Sequence, residues 1–251
     1  MEWRTRVTEL LGCKYPILQG AMAGLGRWQF AAAVAKTGAH ATLTASVCRT
    51  PERLREDIKR YRDATDNKNL AVNLSFTSCP RIEEMLEVCI EEGVQVETAT
   101  YRPDSLAPRI RESGVKWIHK SARVKDALHA ERLGAHAVIL VGLEGIGFKN
   151  PEQLPTMLTT ILAKREIKVP VIAAGGIGDA RGFLGALGMG ADGIMMGTAF
   201  MATKECPVSD AVKEAIVRAR PDNPQLRHQV LDTADPKAYE EVMKLRNEMP
   251  L

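Results

Sequence analysis

The chain has 251 residues, 45% of them apolar and 26% charged, with a net charge of +3. That length supports one sizeable core. The small net charge and an aromatic content of only 5% argue against nucleic acid as a partner, since neither a basic footprint nor a stacking platform is available. Five cysteines (Cys13, Cys48, Cys79, Cys89 and Cys206) form neither a CxxC pair nor a zinc spacing, so they read as reduced thiols. The first ten residues carry no secretory pattern, and no apolar run reaches the roughly 18 residues a membrane span needs. A cytoplasmic protein without a membrane partner is expected.

In chain order, eight segments, most of them short apolar runs, predict strands over residues 15–20, 39–45, 70–75, 94–98, 115–119, 137–141, 169–174 and 193–196. Short runs of this kind mark strands buried on both faces. Helical patterns fill the intervals at 28–36, 51–62, 81–92, 105–112, 123–133, 151–164 and 180–189. Thr50 is placed to cap the second of these, with Pro51 at its first position. Gly38, Gly93, Gly114 and Gly134 follow helices as C-terminal stops. The repeated unit of helix, glycine, Ala or Val, and strand runs the length of the chain without a linker or charge block. Strict alternation predicts an α/β fold with a parallel sheet. An open doubly wound sheet also alternates, but eight units in this length favour a closed (β/α)8 barrel over residues 1–205. Residues 206–251 change character and predict a helical C-terminal extension packed on the barrel, with helices near 210–220 and 236–247.

In such a barrel the chemistry sits where the strands end. The first strand runs into Gln19-Gly20-Ala21-Met22-Ala23-Gly24, where small residues admit a flat ligand and Met22 can pack on a ring; an ordinary turn with a core Met is the plainer alternative. The third ends in Asn73-Leu74-Ser75, and period two puts Asn73 and Ser75 on one side. The fifth ends in His119-Lys120, whose lysine either reaches a ligand's electron-rich edge or extends to solvent. The sixth ends in a Gly-rich loop, Gly142 to Phe148, bearing one carboxylate. The seventh and eighth run into Gly175-Gly176 and Gly197-Thr198. Glycines there can simply make tight turns, but two such turns in succession match a phosphate grip of backbone N–H groups. No HxH or HxxxH pair supports a metal site, and no GxSxG elbow is present.

These strand ends, together with Arg4-Thr5-Arg6-Val7-Thr8-Glu9-Leu10-Leu11-Gly12, Val72-Asn73-Leu74, Ile118-His119-Lys120, Ala130-Glu131-Arg132-Leu133-Gly134 and the run from Gly197 to Thr203, resemble the nitronate monooxygenase family of FMN-dependent barrels. That family includes NAD(P)H:quinone reductases and is related to a flavin-dependent enoyl-acyl carrier protein reductase. The resemblance implies that backbone at Ala21 and Met22 lines the flavin ring. It further implies that Asn73 and Ser75 bond to the ring, that Lys120 contacts it, and that Gly147, Gly175, Gly176, Gly197 and Thr198 hold the cofactor and its phosphate. A cation at the ring's N1–C2 edge stabilises the reduced, anionic flavin.

One position departs from the family. Phe148 stands where the relatives carry an active-site histidine. Phe cannot take a proton, so base-assisted deprotonation of a nitroalkane is expected to be lost or taken up elsewhere. The expectation is therefore an FMN-dependent oxidoreductase using NADH or NADPH to reduce a quinone, enoyl or similar small-molecule acceptor. A nitronate monooxygenase and a non-catalytic flavin-binding protein are the alternatives, and a homo-oligomer is left open.

Overall fold

Eight short, buried strands, most of them apolar, assemble edge to edge through parallel ladders. The computed structural model describes residues 3–22, 24–65, 69–145, 152–220 and 222–223. The strands are β1 (Ile17–Gln19), β2 (Ala41–Thr44), β3 (Leu70–Ser75), β4 (Gln95–Ala99), β5 (Trp117–Ser121), β6 (Ala137–Val141), β7 (Val171–Ala174) and β8 (Gly193–Met196). All pairs are parallel, in the order β1-β8-β7-β6-β5-β4-β3-β2. An isolated bridge between Leu18 and His40 joins the two ends, and the sheet closes as a (β/α)8 barrel.

The outer layer holds α2 (Trp28–Thr37), α4 (Pro51–Thr65), α5 (Ile82–Glu91), α6 (Ala107–Ser113), α7 (Val124–Leu133), α8 (Thr156–Glu166) and α9 (Ala180–Gly188). Gly38, Gly114 and Gly134 end α2, α6 and α7 in the left-handed conformation, as the sequence predicts. Three short helices escape periodicity arguments: α1 (Arg6–Leu11), α3 (Ala45–Cys48) and α10 (Thr198–Met201). After α10 the chain stays on the core through buried Cys206 and half-buried Val208, then forms α11 (Asp210–Arg218), none of whose residues is buried. The helix expected near 236–247 lies outside the described residues. The helix expected to begin at 151 begins at Thr156.

α1 seals the N-terminal end of the barrel. Thr5 and Thr8 cap each other reciprocally, and Val7 and Leu11 pack with Leu18, Ile118, Ile139, Ile172 and Met195 inside. Gly193 permits this approach: a Cβ there would lie 2.9 Å from Pro16 O and 3.1 Å from Val7 Cγ1.

The strand register divides the barrel interior. Thr42, Thr44, Asn73, Gln95, Glu97 and Lys120 line one wall, on β2 to β5. Leu18, Ile139, Val141, Ile172, Ala174 and Met195 line the other, on β6 to β8 and β1.

Two histidines are buried neutral. Near the sealed end, His40 Nε2 donates to Gln95 Oε1 at 3.0 Å, and Gln95 in turn lies 3.4 Å from Leu11 O. His119 faces the helices, 2.8 Å from Thr98 Oγ1. Burial pushes His40 down to about 4 and His119 down to about 3. Between those values and the unfolded value near 6.5, the unfolded chain binds more protons, so stability is lost as pH falls through this window. We expect about 2 kcal/mol lost per histidine between pH 7 and 4.5. Urea unfolding at the two pH values checks this; a His40→Gln variant with the wild-type pH slope would contradict the assignment.

Candidate active site

Parallel strands present their carboxyl ends at one mouth, and the predicted site residues gather there. Asn73, Ser75 and Lys120 all project from the interior side of their strands. Asn73 is buried, and its Nδ2 donates to Glu97 Oε1 at 2.8 Å. Lys120 Nζ lies 3.6 Å from the same oxygen. Ser75 sits half-buried at the rim, 3.1 Å from Thr77 Oγ1. Lys120 therefore does not extend to solvent: its side chain is 11% exposed, over a fully buried carboxylate.

Sequence reasoning missed Glu97. Its signal was present: period two through Gln95, Glu97 and Ala99 places a charge on the inward side of a barrel strand.

Ala21 and Met22 follow β1 at the same mouth. Met22 is buried in the apolar cluster beside the barrel, and its backbone N–H donates to Thr44 Oγ1 at 3.1 Å. Arg27, at the end of this loop, makes a bidentate pair with the fully buried carboxylate of Asp57 on α4; the Arg27 Nη2 contact is 2.7 Å. Cys48 also points at Asp57, at 3.7 Å. Burial, with the Asp57 charge beside it, pushes the Cys48 thiol up to about 12, so Cys48 is no nucleophile at neutral pH.

On the other side of the mouth, β7 ends in Gly175 and Gly176, with φ of +108° and +69°. A Cβ on Gly175 would lie 2.9 Å from both Gly145 N and Thr156 Oγ1. Glu144 braces this turn from below: its Oε2 accepts from Thr156 N at 2.8 Å and lies 2.8 Å from the Thr156 hydroxyl. Beyond β8, Gly197 and Thr198 are exposed, and a Cβ on Gly197 would meet nothing within 4 Å. Thr198 begins α10, whose first-turn N–H groups have no intrahelical acceptor. Gly147 and Phe148 lie outside the described residues.

The residues present fit a flavin phosphate and ring. Two successive turns carry glycine, leaving backbone N–H groups uncovered by side chains at Gly175, Gly176 and Gly197. Across the mouth stands a polar wall with a buried, unpartnered oxygen, Glu97 Oε2. Among the described residues no group of histidine, cysteine and carboxylate side chains could hold a metal ion.

A sequence model of nitronate monooxygenases matches residues 4–234. The chain belongs to the nitronate monooxygenase family. Within the family's reach, it is 34% identical over 221 residues to the (3aS,4S,5R,7aS)-5-hydroxy-7a-methyl-1-oxo-octahydro-1H-indene-4-carboxyl-CoA dehydrogenase of Mycobacterium tuberculosis, covering 87% of this chain and 61% of that enzyme. It is 29% identical over 262 residues to a probable nitronate monooxygenase of Staphylococcus aureus, covering 86% of this chain and 73% of the relative. Among solved structures, FabK from Thermotoga maritima superposes with a TM-score of 0.80 at 38% identity, over 86% of this chain and 68% of that one. The chain thus spans about two thirds of the length of these relatives. The family is flavin-dependent, and its named relatives are oxidoreductases.

Proposed function

We propose that the protein is an FMN-dependent oxidoreductase that takes reducing equivalents from NADH or NADPH and delivers them to a quinone, enoyl or similar acceptor. The observation that carries this reading is the pairing, at one barrel mouth, of a polar Asn73–Glu97–Lys120 wall with the bare turns at Gly175-Gly176 and Gly197-Thr198. Bound FMN would supply hydride acceptance and transfer. Gly175, Gly176, Gly197 and Thr198 would hold its phosphate through backbone N–H groups and one hydroxyl. Asn73, Ser75 and Lys120 would bind the ring's polar edge, and Ala21 and Met22 would line it.

The reductase reading is favoured over nitronate oxidation because, among the described residues, no histidine faces the mouth. His40 sits near the sealed end and His119 faces the helices. His129 pairs with Asp104 at 2.8 Å, and His136 Nδ1 accepts from Trp117 N at 3.1 Å. Nitronate chemistry remains the second reading because the matching family carries that description. Among the described residues no helix is long and apolar enough to cross a membrane.

Anaerobic titration of FMN-loaded protein with NADH and then NADPH tests the proposal. Saturable bleaching of the flavin bands is expected. Firmly bound FMN that bleaches with an alkyl nitronate but with neither nucleotide would transfer the assignment to the monooxygenase. Bound FMN that none of them reduces would point to a non-catalytic flavin-binding protein.

A further inference from the structure

Glu97 has no role in the reading above beyond touching two residues that do, yet it is an acidic side chain fully buried inside the barrel. One oxygen, Oε1, accepts from Asn73 and lies 3.6 Å from Lys120 Nζ, while Oε2 has no hydrogen-bond partner. A buried carboxylate with one oxygen unpaired is costly unless a neighbouring cation offsets it. Its position follows from register: Asn73 and Glu97 are paired on β3 and β4, and Lys120 pairs with Ala99, one inward position nearer the mouth. The carboxylate is thus set deeper than the ammonium.

We propose that Glu97 is a positioning residue that fixes both the hydrogen-bonding sense of Asn73 and the net charge that the polar wall presents to a bound flavin ring. The proposal rests on the flavin reading given above. A carboxylate only accepts, so Asn73 must turn its NH2 toward Glu97 and keep Oδ1 as the acceptor end of its amide. At 3.6 Å, the Lys120 ammonium is within ion-pair range but beyond a well-formed hydrogen bond, so its N–H groups stay free to donate to a ligand. The opposed charges partly cancel, and the field that Lys120 exerts on the ring is weaker than that of an isolated buried cation. A ring that gains negative charge on reduction is then stabilised less than it would be by Lys120 alone.

Glu97→Gln nearly preserves shape, removes the charge and adds a donor that can invert the Asn73 amide. The first test uses the protein without flavin, in a double-mutant cycle with Lys120→Met. Each single variant is expected to lower Tm by about 6–12 °C, because each leaves one buried charge unpaired. The double variant should recover most of that loss. Additive losses would show that the two charges are not coupled and would overturn the proposal.

The second test reads the flavin. Glu97→Gln should raise the midpoint potential of bound FMN and weaken its binding roughly tenfold, measured by fluorescence titration of the apoprotein. Lys120→Met should lower the potential. Glu97→Asp, which keeps the charge, should return the potential toward wild type, and it serves in place of Glu97→Gln if that variant does not fold. Coupled stabilities with an unchanged potential would reduce Glu97 to a structural residue and overturn the proposal. A wild-type protein that binds no FMN would overturn the flavin reading itself and the ligand-facing part of this proposal. The apoprotein cycle would then still decide whether the charge pair exists.

Discussion

Alanine at Gly142 is expected to destabilise the protein by about 3 kcal/mol, since overpacking here falls on backbone that cannot yield cheaply. An added Cβ would lie 2.3 Å from both Thr156 N and Thr156 Oγ1, and 2.4 Å from Thr156 Cα. Relief requires β6 and α8 to separate. Moving Thr156 also disturbs its contacts with Glu144 and with Gly175 O, the latter at 3.0 Å. The substitution lies outside the glycine turns proposed to hold the phosphate, yet it should empty them: FMN is expected to be lost on desalting. Urea unfolding and the flavin-to-protein absorbance ratio check the two effects. A wild-type urea midpoint would show that α8 is free to shift and that the turn does not depend on it.

Removing the carboxylate of Asp57 should cost a similar amount, about 3 kcal/mol, by leaving the Arg27 guanidinium without its bidentate partner. Asp57 is fully buried, whereas Arg27 is 28% exposed. Part of the freed guanidinium can therefore be hydrated, which keeps the expected cost at the lower end for a broken buried pair. The functional consequence follows from position. Arg27 is the residue immediately before α2 and ends the loop that carries Ala21 and Met22. With its anchor gone, that loop keeps the Met22 N–H bond to Thr44 Oγ1 and the Thr44 N–H bond to Gly26 O, but no ion pair. Asp57→Ala should thus lower both Tm and FMN affinity, measured by calorimetry and fluorescence titration. A Tm within about 1 °C of wild type would mean that the pair contributes no more than an exposed one.

All eight strands were legible, most of them as brief apolar runs bounded by glycine or polar residues, and β3, β6 and β8 match their predicted limits residue for residue. Boundaries slipped where apolar residues belong to the approach rather than the ladder, as at Val115 before β5 and Val169 before β7. α1, α3 and α10 have six, four and four residues, too few to display a 3.6-residue period. At the mouth, the positions of Asn73 and Ser75 were legible from period two at a strand end, whereas the strand end left Lys120 between ligand and solvent and only the family resemblance turned it inward. Glu97 was not legible, because attention to strand ends passes over a charge two residues further inside. The Arg27–Asp57 pair was also out of reach: it joins residues 30 positions apart through the tertiary fold, and no local pattern announces it.

The barrel's closure carries one further consequence. Between neighbouring strands elsewhere, the ladder extends over three to five registered pairs. Between β1 and β2 it is a single bridge, held by Gln19 N to His40 O at 2.9 Å and His40 N to Ile17 O at 2.8 Å. This is a seam. The least costly local opening of the cylinder runs along it, because few backbone bonds must break there. The seam lies under the loop that carries Ala21 and Met22, so any breathing of the barrel is directed to the lip of the mouth. The ladders that hold Asn73, Glu97 and Lys120 lie beyond the seam and keep their spacing while it opens.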